Sequence, residues 1–216
     1  AVATDGSFVV TWRSDYQTAD PGIYDVYMQR FDATAAKVGS ETLVNTVTNG
    51  SQYMQKVAIN SAGLTMITWA STVGDSNGWG VLAKIYDAAG NVVVSDFLVN
   101  SGFQSSSQYN PSVAVLSDGR FAITWMSYTE DGSRWSVVAR IINTDGSFAT
   151  GHLLVNQWTP ADQHTPDIRA LSNGGYAVTW LGSGEGQSYA VWGRLFDANG
   201  TATTNEFRVS DIANGW

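Results

Sequence analysis

An apolar strand ending in Thr-Trp is written four times along the chain: SFVVTW to Trp12, LTMITW to Trp69, RFAITW to Trp125 and GYAVTW to Trp180. The Trp residues stand 57, 56 and 55 positions apart, a period at which tandem β units stack and bury their faces against their neighbours. The 216 residues therefore read as one domain of four copies, about 1–55, 56–110, 111–165 and 166–216, and not as two unlike domains.

The third copy displays the parts of one unit most clearly. They are Pro111 to Leu116, the turn Ser117-Asp118-Gly119, Arg120 to Trp125, a polar loop, Trp135 to Asn143, a Gly turn, and His152 to Asn156. Each piece is a short β-branched or alternating run bounded by turn residues, which predicts four antiparallel strands per copy joined by hairpins. The first turn recurs at Thr4-Asp5-Gly6, at Asn60 to Gly63 and at Ser172-Asn173-Gly174, with Gly supplying a positive φ. A second Gly turn follows the third strand at Gly90, Gly146 and Gly200, whereas the first copy has Ala35-Ala36 there, which predicts a different turn in that copy.

The third strands align column by column. Tyr24, Trp79, Trp135 and Tyr189 share one column, then Val26, Val81, Val137 and Val191, then the mostly small Met28, Ala83, Ala139 and Gly193. The alternate columns hold Tyr27, Leu82, Val138 and Trp192, then Gln29, Lys84, Arg140 and Arg194. A sheet apolar on both faces needs cover on both, and a ring of blades provides it without helices. No segment carries a helical period over 11 or more residues, so the expected fold is all-β: a β-propeller of four-stranded blades, either four-bladed or part of a larger ring. Ala1-Val2-Ala3 aligns with Ala114-Val115-Leu116, so sixteen nearly complete strands are expected. Closure alone, an arc of a longer array and a larger ring completed by two chains all satisfy this pattern.

Lys and Arg total 11 against 19 Asp and Glu, a formal charge of −8. Such a surface repels phosphate backbones and anionic membranes, leaving cations, glycans and proteins as partner classes. With no Cys, disulfides and thiolate metal sites are excluded. No apolar run reaches the roughly 20 residues that span a bilayer, so membrane insertion is not expected. The N-terminus has no signal-peptide order; because it starts mid-repeat, as a cut or processed end would, that lack carries no weight.

The phrase from Gln108 to Trp125, QYNPSVAVLSDGRFAITW, with the later VVARIINTDG, resembles repeats of very large secreted bacterial proteins of the RTX type, exported by type I secretion. The resemblance spans the whole chain. It implies an extracellular or cell-surface setting and a calcium-rich medium, and such proteins include adhesins and enzymes. The calcium-binding nonapeptide GGxGxDxUx of that family is absent from this sequence, so no calcium ligand is carried over.

Candidate chemistry concentrates in the loops between the second and third strands. Each is acidic and Gly-rich: Asp20 in a longer first loop, Asp75, the pair Glu130 and Asp131, and Glu185. Calcium is the cofactor that carboxylate and backbone oxygens there would hold, although one or two acids per loop fall short of a full ligand set; hairpin turns explain them as well. Beside them stand Tyr24, Trp79, Trp135 and Tyr189, which would stack on sugar rings next to a carboxylate, in several copies, or pack between blades. The Thr-Trp pairs read as core. Gln52, Gln108 and Gln163, each followed by Tyr53, Tyr109 or His164, read as buried amides tying the connection to the blade.

Other signals are weaker. Gly74 to Gly78 matches G-x-S-x-G without the strand-to-helix elbow that motif requires. His152 and His164 lack partners at catalytic spacing, and the glycosylation-type triplets at Asn49 and Asn199 are expected by chance in a chain of this composition. Departures from the repeat are Trp158, Trp192, the loop from Asp15 to Gly22, and Arg169, which stands where Ala58 and Ala114 stand in other copies.

An enzyme needs one asymmetric constellation, whereas these polar features recur once per copy. The sequence-based expectation is a noncatalytic adhesion or ligand-display module, glycan-binding at the rim through Tyr24, Asp75, Trp79, Glu130, Asp131, Trp135, Glu185 and Tyr189. Its partner would be a glycan or protein on a cell surface or matrix, with self-association open. A structural spacer is the alternative; a polysaccharide-active enzyme using Asp75, Glu130 or Glu185 is the third reading.

Overall fold

The structure, a computed structural model, describes residues 1–15, 22–104, 106–184 and 189–211. Fifteen strands are found among them, in four antiparallel sheets that follow the repeat. Blade 1 holds β1 (Phe8–Ser14), β2 (Asp25–Phe31) and β3 (Lys37–Leu43). Blade 2 holds β4 (Gln52–Ile59), β5 (Thr65–Ser71), β6 (Gly80–Tyr86) and β7 (Val92–Leu98). Blade 3 holds β8 (Gln108–Val115), β9 (Phe121–Tyr128), β10 (Trp135–Ile142) and β11 (Leu153–Leu154). Blade 4 holds β12 (Gln163–Ala170), β13 (Tyr176–Gly182), β14 (Ala190–Phe196) and β15 (Phe207–Arg208). Strands pair in chain order within each sheet, as hairpin connections require.

Two expectations are corrected. Blade 1 has three strands, and its inner position is held by Ala1–Ala3 through a single bridge, Val2 to Phe8, with the Ala1 amine and the Val9 N–H each donating to the other's carbonyl at 2.9 Å. The turn at Ala35 is the same turn as its counterparts: Asp32 N–H bonds Ala36 O at 2.9 Å and Ala35 N–H bonds Asp32 O at 3.0 Å, as Asp87 and Gly90 do in blade 2. Ala35 adopts φ of 65° to make it, a left-handed conformation that costs a non-Gly residue about 1–2 kcal/mol.

The Thr-Trp pair explains how blades stack. Successive strand residues point to opposite faces, so each sheet has a Trp face and a Thr face. Ile67, Trp69, Leu82 and Tyr86 on the Trp face of blade 2 share a core with Val9, Val26, Met28 and Val44 of blade 1. Trp125 of blade 3 shares one with Ala83 of blade 2, and Trp180 of blade 4 with Ala139 of blade 3. In every seam, then, a Trp meets the small column of the preceding Thr face. A cation crosses each seam as well: Lys84 Nζ donates to Val44 O at 2.7 Å, Arg140 Nη1 to Val99 O at 2.6 Å and Arg194 Nη1 to Val155 O at 2.8 Å.

Trp69, Trp125 and Trp180 are buried as the repeat implies, but Trp12 is only half-buried. Tyr27 and Gln29, which pair with Trp12 and Val10, are nevertheless buried. Among the described residues, no hydrogen bond, ion pair, ring contact or shared core joins blade 4 to blade 1. Val10 on the Trp face of blade 1 and Leu181 on the Thr face of blade 4 are 44% and 38% exposed.

Candidate functional site

Each inner strand of blades 2 to 4 begins with Gln followed by an aromatic, and the two side chains part ways. Gln52, Gln108 and Gln163 turn inward and are buried. Gln52 and Gln163 accept the indole N–H of Trp69 and Trp180 at 2.9 Å, while Gln108 Oε1 accepts from Asn100 at 2.7 Å. The next residue but one after each Gln, Met54, Asn110 or Thr165, has φ of 58°, 50° or 44°, and the pairing with the second strand slips there. These are β-bulges, which re-aim side chains, and their non-Gly positive φ costs roughly 1–3 kcal/mol each.

The bulged strands place Tyr53 and Tyr109 on the rim. Across the seam, Gln52 N–H bonds Tyr24 O and Gln108 N–H bonds Trp79 O, both at 2.7 Å, which brings the third-strand aromatics of one blade beside the inner-strand aromatic of the next. The result is a continuous ladder. Ring centroids run Tyr24 to Tyr53 at 5.0 Å, Tyr53 to Trp79 at 5.4 Å, Trp79 to Tyr109 at 5.0 Å and Tyr109 to Trp135 at 5.6 Å. The Arg13 guanidinium lies 4.9 Å from both the Tyr24 and Tyr53 rings, and His164 and Tyr189 repeat the pairing in blade 4 at 5.9 Å. Every ring of the ladder stays partly exposed. Burial raises the Tyr109 phenol above its ordinary pKa; burial and then nearby Asp162 raise that of Tyr189. Both are neutral hydrogen-bonding hydroxyls at physiological pH.

Among the described loop acids, Asp75 and Asp131 are tied into their own loops. Asp75 accepts from Asn77 N–H at 3.0 Å and from Asn100 Nδ2 at 2.7 Å; Asp131 accepts from Ser133 N–H and Asn156 Nδ2 at 3.0 and 3.2 Å. Asn100 and Asn156 in turn accept the Val81 and Val137 N–H groups at 2.9 and 2.8 Å. These acids lock the loop onto the end of the outer strand. Glu130 turns inward and meets His152 Nδ1 at 2.5 Å, a partly buried pair against Trp125 that sequence spacing did not reveal. Glu185 and Asp20 fall outside the described residues. Among those described, no three His, Cys, Asp or Glu side chains gather as a metal site would require. Arg169 pairs with Asp167 at 3.1 Å and is exposed. The acid found beside the ladder is Asp162, whose Oδ1 accepts the Trp135 N–H at 3.2 Å. On the same edge, a cleft of about 360 Å³ opens between blades 1 and 2, lined by Asn45, Gln52, Ser71 and Asp96 among others.

No protein-family model matches the chain, and no curated relative matches it. Solved structures do. A protein of unknown function from Dyadobacter fermentans aligns over 96% of this chain and 67% of its own, at 9% identity and a TM-score of 0.64. The Hadza microbial sialidase Hz136 aligns over 96% and 45%, at 10% identity and 0.61. The endo-arabinase of Bacteroides thetaiotaomicron aligns over 96% and 81%, at 11% identity and 0.56. The chain thus has a β-propeller fold, and it spans under half of the sialidase.

Two of these similar folds are enzymes, which corrects the expectation that this chain is not one. Repetition of blades does not force repetition of chemistry, because one seam can depart from the others. This chain contains such a departure in Glu130 and His152, which only blade 3 carries.

Proposed function

We propose that the chain binds carbohydrate along the ladder Tyr24, Tyr53, Trp79, Tyr109 and Trp135. The observation that carries this reading is the ladder itself: five partly exposed rings in unbroken contact. Aromatic faces stack on the C–H surfaces of sugar rings, while the phenols, Asp162 and the cleft at Asn45 and Asp96 supply hydrogen-bonding groups nearby. A row of such rings suits an extended chain of sugars better than one monosaccharide, since neighbouring contacts add through effective concentration. Three-dimensional likeness to a sialidase and an endo-arabinase supports the same substrate class. In this reading the module works outside the cell, in adhesion to or display on a glycan-bearing surface.

The test is a glycan-array screen followed by calorimetric titration of the best oligosaccharides, with calcium and with EDTA, and chromatography of the incubated sugars for cleavage products. Trp79→Ala and Trp135→Ala should each weaken binding by up to roughly tenfold, the worth of one aromatic contact of about 0.5–1.5 kcal/mol. Affinity unchanged in both variants would sink the ladder as the site. Cleavage products would make the protein an enzyme acting on the glycan it binds.

A further inference from the structure

We infer, resting on the ladder as the carbohydrate site, that the glycan it takes carries free amino groups, with a cationic sugar held against Asp162. This residue stands before Gln163 where the second and third copies have Ser51 and Ser107. Ser107 and Asp162 do the same local work: Ser107 Oγ accepts the Trp79 N–H at 3.4 Å, and Asp162 Oδ1 accepts the Trp135 N–H at 3.2 Å. A hydroxyl suffices for that bond, so the carboxylate adds a charge that the local structure does not require. The charge is fixed beside aromatic faces. Trp135, whose N–H it holds, lies 5.6 Å from Tyr109 and 5.0 Å from Tyr128. Burial first and then the Asp162 charge raise the Tyr189 phenol above its ordinary pKa, which places Tyr189 within the field of this carboxylate. A ligand can reach the group: Tyr128 and Tyr189 are 37% and 39% exposed, and the Asp162 side chain 24%.

A carboxylate flanked by aromatic faces attracts cations through both the charge and the rings. The ladder already holds one cation in this way, the Arg13 guanidinium, 4.9 Å from the Tyr24 and Tyr53 rings. An amino sugar brings the two contacts together, its C–H face on Trp135 and its ammonium on Asp162. The formal charge of −8 favours the approach of a cationic glycan and opposes that of an acidic one. Arg13 repels an ammonium at the blade 1 end, which leaves the Asp162 end to take it. Arg134 Nη1 lies 3.5 Å from Asp162 Oδ2, but its side chain is 69% exposed. A pair so open to water contributes little, and an amine held by a stacked sugar displaces it.

Calorimetric titration with linear tetrasaccharides of glucosamine, of N-acetylglucosamine and of galacturonate tests this. The amine should bind first, by roughly fivefold to tenfold over its N-acetylated form, with a lead that shrinks in high salt, and the uronate last. Asp162→Asn keeps an oxygen for the Trp135 N–H and should bring the amine down to the level of the N-acetylated form. Arg134→Ala, at an exposed position, should raise the affinity for the amine by removing its competitor, and it decides the matter if Asp162→Asn folds poorly. An amine that binds no better than its N-acetylated form, or a lead that Asp162→Asn leaves in place, would overturn the inference while leaving the ladder as the site. Absence of binding by the glucosamine tetramer would overturn it too, and the ladder would then stand or fall on Trp79→Ala and Trp135→Ala with the best sugar of the array.

Discussion

Strand β9 of blade 3 and strand β13 of blade 4 carry nearly the same word, FAITW and YAVTW. In β9 every residue from Phe121 to Ser127 is buried, whereas in β13 burial alternates, with Ala177, Thr179 and Leu181 open to solvent. Blades 2 and 3 share cores on both faces, whereas among the described residues blades 1 and 4 share one on a single face. Burial in such an array is conferred by the neighbour and not by the strand's own composition, as nearest-neighbour coupling of repeats requires. An end blade keeps the apolar columns of an interior blade without the packing that would use them.

The sharpest way to break this comparison is to remove the same residue from an interior and an end blade. Trp125→Ala should destabilise by about 3–5 kcal/mol, the range for emptying a packed aromatic site. Trp125 has no partner for its indole N–H in this structure, so the loss is one of packing. Trp12→Ala should cost about 1 kcal/mol, since area already exposed is not lost. Chemical denaturation of both variants checks the ratio. Equal losses would mean that the Trp12 side chain is packed as tightly as that of Trp125.

Next comes the polar tie. Lys84→Met removes a cation from a nearly buried pair with Asp96, 2.9 Å away, and leaves that carboxylate with Thr46 alone. Leaving a buried charge without its counter-ion costs about 3 kcal/mol. Gln29→Met at the same column of blade 1 removes hydrogen bonds only within its own sheet and should cost about 1 kcal/mol. Parity between the two in urea denaturation would show that the cation does not hold the seam.

A smaller effect of opposite sign is expected at the turn of blade 1. Ala35→Gly should stabilise by about 1 kcal/mol by relieving the left-handed strain, less the entropy of the freer unfolded chain. Gly90→Ala in blade 2 should destabilise by at least as much, because the added Cβ would also meet the end of the Arg30 side chain. Thermal midpoints moving in the same direction for both would refute the shared turn.

The strands and turns were legible because they rest on local rules: alternation, Gly at positive φ, and a period marked by Trp. Which blades stay partly exposed was not legible, since end and interior blades share the columns that such rules read. One sign was nevertheless present, in that Gln29 is the neutral member of a column otherwise holding Lys84, Arg140 and Arg194. The site was half visible. Tyr24, Trp79 and Trp135 stood out by register, but Tyr53 and Tyr109 join them through bulges at Met54 and Asn110, and only the second has a Pro beside it, Pro111. The ties of Asp75 and Asp131 to Asn100 and Asn156 span 25 residues of sequence and follow from no local rule.

Acid should test what the end and interior blades hold in common. Asp32 of blade 1, Asp87 of blade 2 and Asp197 of blade 4 cap the same turn. Their carboxyls are held below the ordinary 3.8: at Asp32 by the Thr34 hydroxyl first, at Asp87 by the Asn91 side chain first, and at Asp197 by the Thr201 N–H first. A folded value below the unfolded one gives a contribution that is fully present above the unfolded value and is lost as pH falls through the folded one. Stability should therefore decline only below about pH 4, near the unfolded carboxylate value. All three groups are fully exposed, so each effect is small. Asp32→Asn and Asp87→Asn should each flatten the acid limb of a pH–stability profile by a similar amount, because at both positions the carboxylate's own hydrogen bonds stay within the turn. A larger effect at Asp87 would mean that the Arg30 side chain of blade 1, which donates to Ala88 O and Ala89 O, couples that turn to the seam, and the contrast between interior and end blades would then extend beyond the core.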